Sequence, residues 1–185
     1  MAKRILLAGL LGGIAMFVWA SLAHLVLGLG SVGMKDLPNE QPLLAALQTG
    51  IGANTGLYVF PGVGREGMAG YQSKLDRNPS GLLIYHPPGV KAMEPRQLVT
   101  EFLTEVIEAL LAVFLLSRTA LTGVLARVGF VTLIGIVACI TTNVPYWNWY
   151  GYPTSYTAAY MFTQIVDYVL VGVVAALLLK RKAAA

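Results

Sequence analysis

Four stretches of this sequence, around residues 5–30, 99–117, 121–143 and 156–179, stay apolar long enough to cross a bilayer as helices. A helix rises about 1.5 Å per residue, so about 17–25 residues cover about 30 Å of hydrocarbon. That layer offers no water to backbone N–H and C=O groups, which leaves helices and closed barrels as the spanning forms. Continuous runs of this length select helices. Charged residues make up 12% of the 185-residue chain, against about a quarter in soluble domains. The sequence therefore predicts an all-α integral membrane protein, a four-transmembrane-helix bundle, and argues against an ordinary soluble enzyme. The one cysteine, Cys139, lies inside an apolar run, so neither an intrachain disulfide nor a cysteine metal cage is possible.

The cations outside the long connection gather at the ends of the apolar runs. Lys3 and Arg4 precede the first, Arg118 and Arg127 flank the turn between the second and third, and Lys180, Arg181 and Lys182 follow the fourth. Positive flanks remain on the cytoplasmic side. The expected chain starts inside, crosses four times and ends inside, with the bacterial inner membrane as its location. Residues 1–30 are then the first transmembrane helix, 31–94 an extracytoplasmic (periplasmic) cap loop, and 95–185 helices two to four with a cytoplasmic tail. A cleaved secretory signal over residues 1–23 is the alternative, since Lys3-Arg4 leads an apolar stretch ending in Ser21-Leu22-Ala23. The run continues through Leu25, Val26 and Leu27, longer than the usual apolar region of a signal, which favours a retained helix. A net charge of +4 placed at helix ends does not form a basic stripe. No nucleic-acid partner is expected; the partners expected are the lipid bilayer and a homo-oligomer or larger membrane complex.

Within the first run, Gly9 and Gly13 have the small-residue spacing that lets helices approach closely in lipid. In the cap, Asn39 to Pro42 followed by Leu43, Leu44 and Leu47 predicts a capped short helix with an apolar stripe, able to lie on the membrane surface. The segments 56–62 and 81–87 are aromatic and β-branched and bounded by Gly or Pro, which predicts two paired strands. Residues 66–76 between them read as a loop or brief helix, and Asn78-Pro79-Ser80-Gly81 as a turn. Glu94-Pro95 starts the second long helix, with Pro where a missing donor costs nothing. Arg127 lies near the inner end of its run, where its side chain can snorkel to headgroups. Between helices three and four, residues 145–153 hold five aromatics and no charge, an interfacial belt that could also line a ligand site.

The least ordinary feature is that four of the nine acids sit in apolar runs: Glu101, Glu105, Glu108 and Asp167. At about 100° per residue, Glu105 and Glu108 fall within about 40° of Glu101, so the three form one stripe. Counting from Arg118, the stripe climbs from about 15 Å at Glu108 to about 25 Å at Glu101, and Asp167 is level with Glu105 at about 20 Å from Lys180. Tyr160, Thr163 and Gln164 share the side of Asp167. His24 is near the outer end of helix one, with Ser21 and Phe17 on its face, and Thr141, Thr142 and Asn143 end helix three. A carboxylate in hydrocarbon costs several kcal/mol unless it is paired, neutral or wet. No intramembrane cation pairs with these, so neutral carboxyls, a bound cation or a water-filled vestibule are the open responses, against a purely structural network in which Glu105 bonds Gln164 or Tyr160.

The leading expectation is a pocket in the outer half of the bundle that binds a cation or relays protons through Glu101, Glu105, Glu108, Asp167, Gln164 and Tyr160. If the cap folded onto the bundle, His86 and His24 with Glu101 and Glu105 would suit a divalent metal ion such as Zn²⁺, Mn²⁺ or Fe²⁺ by ligand type. The run lacks the Glu-x-x-His pairs of di-iron bundles, and one intramembrane imidazole is too few for a typical b-type haem. No catalytic motif is present, so enzyme activity has no support from that quarter. The alternatives are an accessory or scaffold subunit using the Gly9/Gly13 face, and a metal-dependent membrane redox or hydrolytic enzyme.

Overall fold

A computed structural model of the protein describes residues 2–65 and 67–179. The basic tail Lys180-Arg181-Lys182 that enters the orientation argument lies outside these residues, as does Glu66. The chain is mostly helical with a small two-stranded sheet. It divides into two compact units, one formed by the chain up to Met34 and from Met93 onward, the other by Lys35–Ala92.

The first unit is built on α1 (Ala2–Leu25), and the second contributes α2 (Glu40–Ile51), β1 (Gly56–Phe60), α3 (Gly67–Leu75) and β2 (Gly81–Tyr85). The chain then returns to the first unit for α4 (Pro95–Ser117), α5 (Val124–Tyr150) and α6 (Thr154–Leu178). Three of these, α1, α5 and α6, are long and apolar enough to cross a membrane. The expectation of four such helices is therefore met only in part. At 23 residues α4 has the length, but Glu101, Glu105 and Glu108 interrupt its apolar character.

What holds α4 is close packing. A Cβ on Gly13 would lie 2.5 Å from Cα of Val106, and one on Gly9 would lie 2.9 Å from Cα of Leu110. The Gly9/Gly13 face is thus filled by α4 of the same chain, not left as a surface for another subunit. On the other side, Gly12 faces Val171 and Ala109, so α1 lies against both α4 and α6. The α5–α6 pair uses the same device: a Cβ on Gly135 would meet Tyr168, and one on Gly172 would lie 3.0 Å from Cα of Val128. Val113, Val131, Val171, Met16 and small alanines fill the centre.

Three local expectations change. Helix α1 stops at Leu25, short of residue 30, and Gly28 at φ 67° opens a 3-10 turn over Leu29–Ser31. Helix α5 continues through Pro145 to Tyr150, so most of the aromatic connection is helical; Gly151 at φ 70° ends it, its N–H reaching Tyr146 O. Proline removes one donor from such a helix, and the packing of its other turns carries it through. Arg127 does not snorkel. It is 5% exposed, and its Nε and Nη1 donate to Leu121 O at 2.9 Å and Leu179 O at 3.0 Å. Carbonyls after the last helical turn have no partner of their own, and the guanidinium supplies one at the end of α6.

In the second unit the paired strands form as expected, antiparallel, with Gly56 opposite Tyr85 and Phe60 opposite Gly81. Tyr85 is buried and its hydroxyl donates to Gly52 O at 2.9 Å. Within the segment read as a loop or brief helix, Gly67–Leu75 forms α3. Asn39 does not cap α2 with its side chain; it sits in the left-handed region at φ 56°.

Gly13→Ala is expected to destabilise the purified protein by about 1–3 kcal/mol, because the new methyl meets backbone that cannot move aside. Gly129→Ala, which enters open space, should leave thermal unfolding unchanged or slightly raised. Arg127→Met should cost about 1.5–3 kcal/mol, the range for lost hydrogen bonds from a charged donor, and thermal unfolding in detergent reads both.

Candidate functional site

Local sequence decides which side chains each helix can offer. On α4 the four- and three-residue spacing of Glu101, Glu105 and Glu108 puts them on one stripe, and the glycine contact with Val106 and Leu110 sets its rotation. Glu94, the residue before α4, donates its N–H to Gln97 Oε1 at 2.8 Å, fixing the helix start. On α6, Tyr160, Gln164 and Asp167 recur at helical spacing, and on α1 Met16, Ala20 and His24 do the same.

These faces meet around a cavity of about 190 Å³. Glu101, Glu105 and Glu108 line it from α4, and Tyr160, Gln164 and Asp167 from α6. His24 lines it from α1 and Thr142 from α5, so all four long helices contribute. No lysine or arginine is among the described lining residues. The six side chains expected to form a cation or proton site are therefore brought together. His86 is not among the lining residues; it is an exposed residue of the other unit. Among the described residues, no three His, Cys, Asp or Glu side chains are grouped so as to hold a metal ion.

Several polar atoms around the cavity have partners. The Tyr168 hydroxyl donates to Glu108 Oε2 at 3.3 Å, Asn143 Nδ2 donates to Gln164 Oε1 at 2.6 Å, and Trp19 Nε1 donates to Thr163 O at 3.1 Å. Thr163 and Thr142 return their hydroxyls to carbonyls of their own helices. His24 Nδ1 lies 2.9 Å from Ala20 O, which makes it the donor nitrogen and leaves Nε2 as an acceptor when the ring is neutral. Its ring meets Tyr160 edge-on. Phe17, on the same face of α1 as His24, packs edge-on against Phe102.

Among the described residues, two fully buried side-chain atoms are left over. Glu105 and Asp167 are each only 6% exposed, and Glu105 Oε2 and Asp167 Oδ1 have no hydrogen-bond partner. The network in which Glu105 bonds Gln164 or Tyr160 does not form; Gln164 Oε1 instead accepts from Asn143. Glu101 is exposed and Glu108 half-buried, so burial is greatest where the partners run out. Sequence reasoning missed Tyr168 as the partner of Glu108. The signal was its position next to Asp167, but only the close approach at Gly135 swings that ring toward α4.

The fold and the cavity together define a class: a helical protein of membrane character with an acidic cavity that is open at the Glu101 end. Comparison with protein-family models, curated proteins and solved structures finds no match for the chain.

A buried, unpartnered carboxyl oxygen opposes folding. Glu105→Leu and Asp167→Asn are therefore expected to leave thermal stability unchanged or to raise it, by up to about 1–3 kcal/mol. A marked loss in both variants would mean that the carboxyls serve the packing.

Proposed function

We propose that the protein is an integral membrane protein with α4 as a fourth spanning helix, and that its acidic cavity binds a cation or relays protons. The observation that supports this is the pair of buried carboxyl oxygens, on Glu105 and Asp167, that face a cavity with no cationic side chain among its described lining residues. Residues that oppose stability and line a cavity together have the character of a binding site. The chain runs N-terminus inside, so the cavity lies toward the outer leaflet and takes its ion from the extracytoplasmic side. On the same reading residues 31–94 lie on the extracytoplasmic side of the membrane.

Glu105 and Asp167 are the proposed primary ligands. Glu101, at the exposed end of the stripe, draws cations inward, and Glu108 is held by Tyr168. Gln164 and Tyr160 supply neutral oxygens. A monovalent cation or a hydrated proton fits this donor set, since it needs no rigid cluster of three or more charged ligands.

Isothermal titration of the detergent-purified chain with Na⁺, K⁺ and NH₄⁺, together with proton uptake on acidification, tests the reading. Glu105→Gln and Asp167→Asn are expected to weaken cation binding at least tenfold, or to remove one bound proton each, while the circular dichroism spectrum is retained. Binding and proton uptake that are the same in the wild type and both variants would defeat it.

A further inference from the structure

At the end of the bundle away from the acidic cavity, α1 and α4 part. The contacts of Gly13 with Val106 and of Gly9 with Leu110 set an antiparallel register, which one turn further on brings Ile5 to Phe114 and then Ala2 to Ser117. Neither of these pairs contains a glycine, and a cleft of about 440 Å³ opens there, lined by Ala2, Ile5, Leu6, Phe114, Ser117 and Arg118. Sites that hold a small ligand are of this size, about 300–1,000 Å³. The walls are apolar and the rim is cationic. The Arg118 guanidinium carbon lies 4.6 Å from the centroid of the Phe114 ring, one helical turn back along α4. Ser117 donates its hydroxyl proton to Phe114 O at 2.6 Å. Among the described residues, no carboxylate pairs with the exposed Arg118 side chain.

Helix α1 is long and apolar enough to cross a membrane, and Leu6 is 61% and Phe114 44% exposed, so the occupant of this cleft is apolar along the helices. Charge decides what it is at the rim. Residues 2–13 and 109–123 hold Lys3, Arg4 and Arg118 and no acid. The chain beyond α6 continues as Lys180-Arg181-Lys182, and a second copy laid on this face would bring the same cations again, so neither complements the site. A phospholipid with an anionic headgroup does, with its chains against the apolar walls and its phosphate against the guanidinium, whose planar fork matches phosphate oxygens. In the orientation proposed above this end is cytoplasmic. That leaflet carries the anionic lipids, and basic pockets between spanning helices on that side take their headgroups.

Resting on the membrane reading above but not on the cation site, we propose that the cleft between α1 and α4 binds one anionic glycerophospholipid, with its phosphate at Arg118 and an acyl chain along Ile5, Leu6 and Phe114. The Phe114 ring holds the guanidinium in place before the lipid arrives, so less side-chain freedom is lost on binding. Lys3 is exposed and next in sequence to Ala2 of the cleft wall, and adds to the attraction for the headgroup. No bond is made or broken; the lipid is bound and released.

Native mass spectrometry of the full chain in detergent, titrated with dioleoylphosphatidylglycerol, dioleoylphosphatidylcholine or glycerol phosphate, tests this. One phosphatidylglycerol per chain is expected to be held about fivefold more tightly than phosphatidylcholine, the worth of one cation near an anionic lipid surface, and glycerol phosphate not to be held. Arg118→Gln should remove the preference, and Arg118→Lys, which keeps the charge and loses the fork, should retain it in part. Leu6→Trp, which fills the cleft from an exposed position, should weaken phosphatidylglycerol with Arg118 intact. Lys91→Gln, at an exposed cation of the other unit, should change nothing. Equal retention of the two lipids by the wild type, an Arg118→Gln variant that binds like the wild type, or a Lys91→Gln variant that loses as much as Arg118→Gln would overturn the proposal. Glycerol phosphate held as tightly as the lipid would overturn it in favour of a free phosphate ester. In each of these cases the membrane reading stands if the chain needs detergent to stay monodisperse. A chain that is monodisperse without detergent and retains neither lipid would defeat both.

Discussion

The approach of α1 to α4 through Gly9 and Gly13 is the contact on which the rest of the bundle depends. Helix α4 carries three glutamates and is the least apolar of the four long helices, so burial of its own surface is a weaker anchor than for α1, α5 or α6. Two glycines bring it within backbone distance of α1, at Val106 and Leu110. Dispersion contacts are individually small, but backbone-to-backbone approach multiplies them along several turns. That contact also sets the rotation of α4, and with it the direction in which the acidic stripe points.

Once α4 is fixed, the polar side chains sort by whether a partner lies in reach. Glu108 has Tyr168, Gln164 has Asn143, Thr163 offers its carbonyl to Trp19, and the threonine hydroxyls bond back to their own helices. Arg127 shows the same economy at the other end of the bundle, satisfied by two backbone carbonyls instead of an acid. Glu105 and Asp167 stand apart because each keeps a buried carboxyl oxygen to which no side chain donates. Stability alone would favour apolar residues at both positions, and their presence there fits a role that packing does not supply.

The aromatic end of α5 extends this logic outward. Because the helix continues through Pro145, Tyr146 is held on a rigid turn facing α6, and the left-handed Gly151 reverses the chain so that the ring of Tyr152 meets those of Tyr146 and Tyr156. In a flexible connection the same residues would have no common space to line. The rings line a groove that shares Thr142, Tyr160 and Gln164 with the acidic cavity.

Apolar length determined the long helices, aromatic and β-branched runs bounded by Gly and Pro determined the strand pair, and the four- and three-residue spacing put Glu101, Glu105 and Glu108 on one stripe. These are local properties, set by the period of a helix or strand, and need no knowledge of neighbours. The convergence of that stripe with Asp167 was also legible, from helix rise and the assumption of antiparallel neighbours. What the sequence could not show is which polar atoms find partners. Whether Gln164 meets Asn143, whether Arg127 reaches headgroups or carbonyls, and whether Tyr152 and Tyr156 face lipid or a groove all depend on helix rotation to within a few tens of degrees. That rotation is decided by where glycines let one backbone touch another, at Gly9, Gly13, Gly135 and Gly172, and it exists only in the packed structure.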